Sequence, residues 1–319
     1  IIEVHFIDVG QGDSILIKTA SGNMLVDAGP NSAEDQLNAY LEEQGVTSFT
    51  YAVFTHMDED HIGGGDMIEN NYKIETTIVP DQVTTTKTYQ RLVDATEKNG
   101  CQVKQAVSGE TYSLGEMQFT ILAPNEESYK DSNNYSVVVR VDYGKTSMLL
   151  TGDAEQDAEQ DMVASGQDLT CDLYVVGHHG SSSSTSEELL DAASPAYAFL
   201  SVGEDNPYGH PTAQTLNALQ QHEITLYRTD QQGEVTVYSD GQKCWFSTEP
   251  CQDWSAGNQA IAEKPLSTTV PQTAQYVLNT HTKKFHFPDW PSVDQMSEKN
   301  KEFTDASRDE LIARGYTAC

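Results

Sequence analysis

Basic side chains are scarce in this chain. It holds 18 Lys and Arg against 49 Asp and Glu, a formal net charge of −31 at pH 7. The imbalance is concentrated: residues 1–245 carry 11 basic and 39 acidic side chains, and residues 246–319 carry 7 and 10. Such a surface repels phosphate backbones and anionic lipid. It offers no basic cluster of the kind that non-specific nucleic-acid binding requires, so a nucleic-acid substrate would have to be held through bound cations. Long apolar runs are also missing. No stretch of 18 apolar residues occurs, and no membrane-spanning segment is expected within these residues. The five cysteines form no C-x-x-C pair. Cys244 and Cys251 are close enough in sequence to bridge a turn, but free or buried thiols are an equal expectation. Internal repeats are absent. A chain of 319 residues can bury most of its unfolded surface without disulfides, and its length suggests two domains or one large and one small.

What is present is an alternation of apolar strands, polar helices and Gly-rich turns over the first 245 residues. Runs rich in β-branched and aromatic residues predict strands at 3–9, 14–18, 23–27, 51–54, 117–122, 135–142, 147–151, 172–176, 196–201 and 234–238. Apolar residues at helical spacing predict helices at 33–44, 86–98, 154–164, 185–193 and 212–221. The pattern fits two sheets packed face to face with helices outside. Domains are expected at 1–246 and 274–319, joined by a Ser/Thr/Pro/Gln-rich linker at 247–273. The second domain opens with a strand-like YVLN and closes with a helical SRDELIARG.

Four loops carry candidate chemistry. The apolar run YAVF delivers Thr55-His56-Met57-Asp58-Glu59-Asp60-His61, followed by glycines. Imidazoles and carboxylates this close converge on a divalent ion if the backbone turns sharply, a turn that glycine permits. MLLTGD ends in Asp153, and one carboxylate at a strand end can bridge two ions. VVGHHGS releases His178 and His179 from another strand; side chains alternate along a strand, so the two are not expected on one ion. NPYGHP fixes His210 between Gly and Pro, where an imidazole can serve as general acid. Five of the nine histidines fall in these strand-end loops, the place where α/β sheets collect functional groups.

At these residues the chain resembles the metallo-β-lactamase superfamily, and within it the hydrolase domain of ComEC-type competence proteins and their free-standing, often secreted relatives. The matching pieces are VHFIDVGQGDSILI (4–17), LVDAG (25–29), THMDEDHIGG (55–64), NNYSVVVR (133–140), LLTGD (149–153), VVGHHGS (175–181), NPYGHP (206–211) and TDQQGEVTV (229–237). The resemblance implies an α/β fold, the four-layer αββα sandwich, holding one or two divalent ions, Zn2+ or Mn2+. By motif position His56 and Asp58 would serve one ion and Asp60 and His61 the other. Asp153 would bridge them, His179 would complete the second site, and Asp27 and His178 would stand behind the ligands. Two departures mark this branch. Asp58 stands where the superfamily has the second histidine of H-x-H-x-D-H, and Asn134 where it has a further histidine. Both make the first site richer in oxygen. The tail, at YVLNTHTKKFHFP (276–288) and SRDELIARGYTAC (307–319), resembles a zinc module of Ada-type repair proteins, with His286 and Cys319 as remnants of its ligands.

The implied activity is hydrolysis by a metal-activated hydroxide that Asp60 orients. His210, Ser181, Asn134, Asn206 and Tyr208 are expected to contact substrate or leaving group. A phosphodiester in nucleic acid or a nucleotide is the expected substrate. A small ester, lactone or amide, and a non-catalytic secreted metal-containing binding protein, are the competing expectations. A monomer with an extracellular or cell-surface location is expected.

Overall fold

The computed structural model describes residues 1–257, 276–280, 283–286, 300–304, 306, 311, 314 and 316–318. The chain forms two compact units, Ile1–Ala262 and Glu263–Cys319.

In the first unit, the strands in chain order are β1 (Ile2–Phe6), β2 (Ile15–Thr19), β3 (Gly22–Val26), β4 (Ser48–Val53), β5 (Lys73–Val79), β6 (Gln102–Gln105), β7 (Thr111–Leu114), β8 (Met117–Ala123), β9 (Val138–Tyr143), β10 (Thr146–Leu150), β11 (Leu173–Val175), β12 (Tyr197–Leu200), β13 (Thr225–Arg228), β14 (Val235–Ser239) and β15 (Cys244–Phe246). They make two sheets, ordered β15-β14-β1-β2-β3-β4-β5-β6 and β13-β12-β11-β10-β9-β8-β7. The β3–β6 half of the first sheet and the β10–β13 half of the second are parallel.

The period-2 alternation of each strand divides its side chains between two cores. Ile15 and Ile17 of β2, Met148 and Leu150 of β10, and Leu173 and Val175 of β11 point into one cluster between the sheets. Phe6 and Phe199 stack across that space at 3.9 Å. The residues between them point outward. Leu16 and Leu25 pack under helices α1 (Glu34–Glu43), α2 (Glu59–Ile62), α3 (Gly65–Asn71) and α4 (Lys87–Asn99). Leu149 and Tyr174 pack under α5 (Gln156–Ser165), α6 (Glu187–Ala193) and α7 (Ala213–Gln221). A further short helix, α8, spans Thr229–Gln232. The architecture is the expected αββα sandwich.

Two local expectations change. Residues 132–135 form a helical turn and the strand begins only at Val138. The first unit also runs beyond the boundary expected at 246. Cys251 N donates to Leu226 O and Gly257 N to Pro211 O, both at 2.8 Å. The buried Arg228 donates from its Nη1 to the carbonyls of Asp253 and Ser255. The segment 251–257, assigned from composition to the linker, is therefore pinned to the sandwich by its backbone. Cys101, Cys171, Cys244 and Cys251 are free thiols, so Cys244 and Cys251 do not bridge.

The second unit contains a sheet ordered β18 (Lys301–Thr304), β16 (Tyr276–Asn279), β17 (Lys284–His286), β19 (Thr317–Ala318). Leu278, Phe285, Leu311 and Tyr316 form its core. The strand expected at YVLN is β16. Most of the helix expected at SRDELIARG, the His286 side chain and Cys319 lie outside the described residues.

Candidate metal centre

Every residue of the candidate centre leaves the C-terminal end of a parallel strand. Asp27 follows β3, the His56–His61 loop follows β4, Asp153 follows β10 and the His178-His179 pair follows β11. Both sheets thus aim their strand ends at one place.

The histidine loop folds as a short connection into α2. Asp58 takes the N-cap position of α2 in an extended conformation, and its carbonyl accepts from His61 N and Ile62 N. Its carboxylate makes no cap hydrogen bond and lies 3.8 Å from His56 Nε2. The following glycines serve a different purpose from the one their sequence suggests. Gly63 and Gly64 have ordinary negative φ values, −54° and −84°. They are glycine because α2 lies directly on the chain at 28–31: a Cβ on Gly63 would overlap the backbone of Pro30 and Asn31. Ala28 N donates to His61 O at 2.7 Å and seals that approach.

His178 and His179 do not sit on a strand. They occupy a tight turn after β11, both left-handed, with φ of 48° and 52°. Strand alternation therefore does not separate them. They reach opposite oxygens of one carboxylate: His178 Nε2 is 3.6 Å from Asp153 Oδ2, and His179 Nε2 is 3.5 Å from Asp153 Oδ1.

Asp153 is the centre of the cluster. Its Oδ1 lies 3.1 Å from His61 Nε2, and its Oδ2 lies 3.9 Å from His56 Nε2. Asp60 Oδ2 is 3.2 Å from His179 Nε2 and 4.0 Å from His61 Nε2. The ligand atoms of Asp60, His61, Asp153 and His179 all fall within 4.8 Å of one another. Two ligands on one tetrahedral ion at ordinary bond lengths stand roughly 3.4 Å apart, so the spacing suits coordination. The polar atoms say the same. Although the His61–Asp153 and His179–Asp60 contacts are short, they lack hydrogen-bond angles. His56 Nε2, His61 Nε2, His179 Nε2 and Asp153 Oδ1 are buried without a hydrogen-bond partner. Buried polar atoms are rarely left so, and two divalent cations, one on each oxygen of Asp153, would satisfy all four.

The opposite ring nitrogens are tied down. His61 Nδ1 lies 2.7 Å from Asp27 Oδ2, and that carboxylate also accepts from Thr55 N and Thr55 Oγ1. His179 Nδ1 donates to Ser201 O at 3.0 Å. His56 Nδ1 lies 3.2 Å from Thr55 Oγ1 and 3.5 Å from Ser136 Oγ. His178 Nδ1 lies 3.2 Å from Glu155 Oε1. Such contacts fix ring orientation and tautomer around a metal.

The electrostatics are those of tightly packed imidazoles and carboxylates. Burial opposes charge on His61 and His179, but Asp153 and the neighbouring carboxylates outweigh it. They raise His61 well above its usual value and His179 to about 9. Burial likewise resists ionisation of Asp60, but the charge on His61 and contact with His179 hold its carboxyl down to about 2. His56, desolvated and beside His61, falls to about 3. Burial lifts Asp13 to about 6.

The residues expected to contact substrate divide. Asn134 is buried, and its amide oxygen accepts from Glu155 N and Ala158 N at 3.0 and 3.2 Å. It holds the start of α5 and replaces no histidine contact. The Ser181 hydroxyl bonds Ser183 Oγ at 2.9 Å. Asn206 is buried and organises its own loop, with Oδ1 accepting from Tyr208 N and His210 N. Tyr208 is 64% exposed. It lines a cleft of about 500 Å3 together with Asp58, Asp60, Met57 and Gln11. The His210 ring lies edge-on to His178 at 5.5 Å and stacks near Tyr208 at 5.7 Å. Burial and the two adjacent histidines lower His210 to about 4, and its buried Nδ1 has no partner. Four supporting residues escaped the sequence reading: Asp13, Thr55, Ser136 and Glu155. Each stands inside a quoted motif or just past its end, so position relative to the ligands was the available signal.

Comparison with known proteins agrees with this geometry. A family model described as the metallo-beta-lactamase superfamily matches residues 7–204. ComE operon protein 3 of Bacillus subtilis is 30% identical over 271 residues, 79% of this chain and 35% of that protein. Competence protein ComA of Neisseria gonorrhoeae is 32% identical over 230 residues, 72% of this chain and 31% of that protein. The chain thus spans about a third of the length of these relatives. Among solved structures, the metallo-beta-lactamase fold protein YhfI from Bacillus subtilis superposes with a TM-score of 0.50 at 12% identity, covering 77% of this chain and 99% of that one. The chain belongs to the metallo-beta-lactamase superfamily, in the ComEC-type family of competence proteins.

Proposed function

We propose that the chain is a metal-dependent hydrolase of phosphodiester bonds. The observation that carries this reading is the convergence of three unpartnered buried imidazole nitrogens on the two oxygens of Asp153. His56, Asp58, Asp60, His61, Asp153 and His179 are the residues that would hold the ions. Three carboxylates among six ligands suit Mn2+ as well as Zn2+. When bound, divalent ions here would supply Lewis acidity toward a phosphoryl oxygen and make water nucleophilic near neutral pH.

The chain's own groups do the rest. Asp60, held ionised, accepts a hydrogen bond from the attacking water and orients it. Thr55 and Asp27 keep the His61 ring fixed. Tyr208 lines the cleft and the His210 ring stacks near it, where the pair would face the leaving group. His210 is neutral in the free protein, and a phosphoryl anion beside it would raise its pKa by favouring imidazolium. Phosphodiester is favoured by the relatives named for competence and by a third named recombination protein 2. The strong net negative charge argues that such a substrate is held through the ions rather than a basic groove. A monomer acting at the cell surface or outside it completes the reading. Among the described residues no helix is long and apolar enough to cross a membrane.

The test is hydrolysis of bis-p-nitrophenyl phosphate and of single-stranded DNA by Mn2+- and Zn2+-loaded protein, with nitrocefin and a p-nitrophenyl ester alongside. Turnover of the phosphodiesters alone, abolished by Asp60→Asn, is expected. Turnover of the ester or nitrocefin alone transfers the reading to small esters, lactones or amides. Bound metal with no turnover on any of them indicates a binding protein.

A further inference from the structure

Two imidazoles face each oxygen of Asp153. His61 and His179 face Oδ1 at 3.1 and 3.5 Å; His56 and His178 face Oδ2 at 3.9 and 3.6 Å. The second pair is unexpected, because the sequence withholds two imidazoles from that side, with Asp58 and Asn134 in their places. Asn134 is occupied at the start of α5. We propose that His178 is a direct ligand of the ion on the Oδ2 side, completing a set of His56, Asp58, Asp153 and His178. The proposal rests on the metal-site reading above.

Three further features support it. The first is orientation: Glu155 stands to His178 as Asp27 stands to His61, a carboxylate on Nδ1 that turns Nε2 toward Asp153. Ser183 Oγ donates to the same Glu155 oxygen at 2.7 Å and holds it in place. The second is backbone. His178 adopts φ 48°, ψ 47°, a left-handed conformation that an ordinary residue adopts only at a cost. That turn lets adjacent imidazoles reach opposite oxygens of one carboxylate. The third is the partner nitrogen: His56 Nε2 is fully buried and without a hydrogen bond, and His178 supplies the other nitrogen on its side of Asp153. With His178 counted, the two positions become alike, each holding two imidazoles, one private carboxylate (Asp58 or Asp60) and a share of Asp153.

The experiment is metal counting, independent of turnover. Wild type, His178→Asn and His179→Asn are saturated with Mn2+, freed of excess ion and assayed by elemental analysis, with affinities from calorimetric titration. Asparagine is chosen because it tolerates left-handed backbone. Two ions in wild type and one in His178→Asn are expected, the retained ion keeping its wild-type affinity; His179→Asn loses the other. Glu155→Gln, which leaves the turn intact, should weaken one ion by roughly 10–100-fold and spare the second. Two ions of unchanged affinity in His178→Asn overturn the proposal, as does a single ion in both wild type and variant. Should His178→Asn not fold, unchanged affinities in Glu155→Gln overturn it instead. A wild type that takes up no ion sinks the underlying metal-site reading, a separate outcome.

Discussion

Replacing Asp27 with asparagine changes one atom and reverses a proton. Asp27 accepts three hydrogen bonds: from Thr55 N at 2.7 Å, from Thr55 Oγ1 at 2.6 Å and from His61 Nδ1 at 2.7 Å. Its backbone is left-handed, with φ 58°, a conformation asparagine tolerates. The variant should therefore fold. Its amide has one acceptor and one donor, however. The acceptor must face Thr55 N–H, because the reverse orientation opposes two donors in a buried site. The NH2 then faces His61 Nδ1, which can no longer carry a proton. The ring adopts the other tautomer and points N–H toward Asp153, where a bare nitrogen is required. Loss of such an orienting carboxylate weakens metal binding by roughly 10–100-fold, or about 1.4–2.7 kcal/mol. Competition against a chromophoric chelator measures this directly, with a thermal melt of the metal-free variant as the control for folding. The ion on the His61 side should weaken, and the one on the His56 side much less. An affinity within about two-fold of wild type on both would show that Asp27 does not set the tautomer.

Further outcomes are expected. His210→Gln should lower kcat by roughly 10²–10⁴-fold if His210 assists the leaving group, with metal content unchanged by elemental analysis. Gly63→Ala should lower stability by about 3 kcal/mol or more, read as a fall in Tm, because its methyl meets the backbone of Pro30 and Asn31 rather than a movable side chain. Arg228→Met strands the buried Asp230 carboxylate and frees 251–257; a loss of about 3–5 kcal/mol and new proteolysis in that segment should follow. The metal-free protein should lose stability as pH rises. His179 is raised to about 9 from 6.5, so its contribution, about 3 kcal/mol, is complete below pH 6.5 and lost by pH 9. Asp13, raised to about 6, makes its own change below that window. A melting temperature that climbs from pH 6.5 to 9 would contradict the assignment.

The sandwich was legible because its inner strands alternate cleanly. Ile15-Leu16-Ile17 and Met148-Leu149-Leu150 split their side chains between two cores, and the pattern shows in the sequence. Strands β6 and β7 escaped because they are short and largely exposed, with little apolar period to detect. Strand β5 escaped because two of its buried positions, Thr76 and Thr77 on opposite faces, are polar. The candidate ligands stand out in the sequence because they cluster in a few motifs. Their geometry was not: a pair of adjacent histidines reads as strand until the left-handed turn is seen. Asn134 looked like a substrate contact because of where the family places it, but its oxygen serves the first turn of α5. The extent of the first unit was missed for a similar reason. Residues 251–257 have a linker's composition, and their backbone hydrogen bonds to Leu226, Pro211 and Arg228 reveal that they are packed.

The candidate centre draws on both sheets. His56, Asp60 and His61 descend from the first, Asp153, His178 and His179 from the second. An occupying ion would therefore rivet the seam of the sandwich and link the fold's cohesion to the free concentration of that ion. At a hundred times the dissociation constant each site adds about 2.7 kcal/mol, and at a thousand times about 4.1. Chelation would loosen the sandwich where β4 and β10 end, the strand ends that such an ion would join.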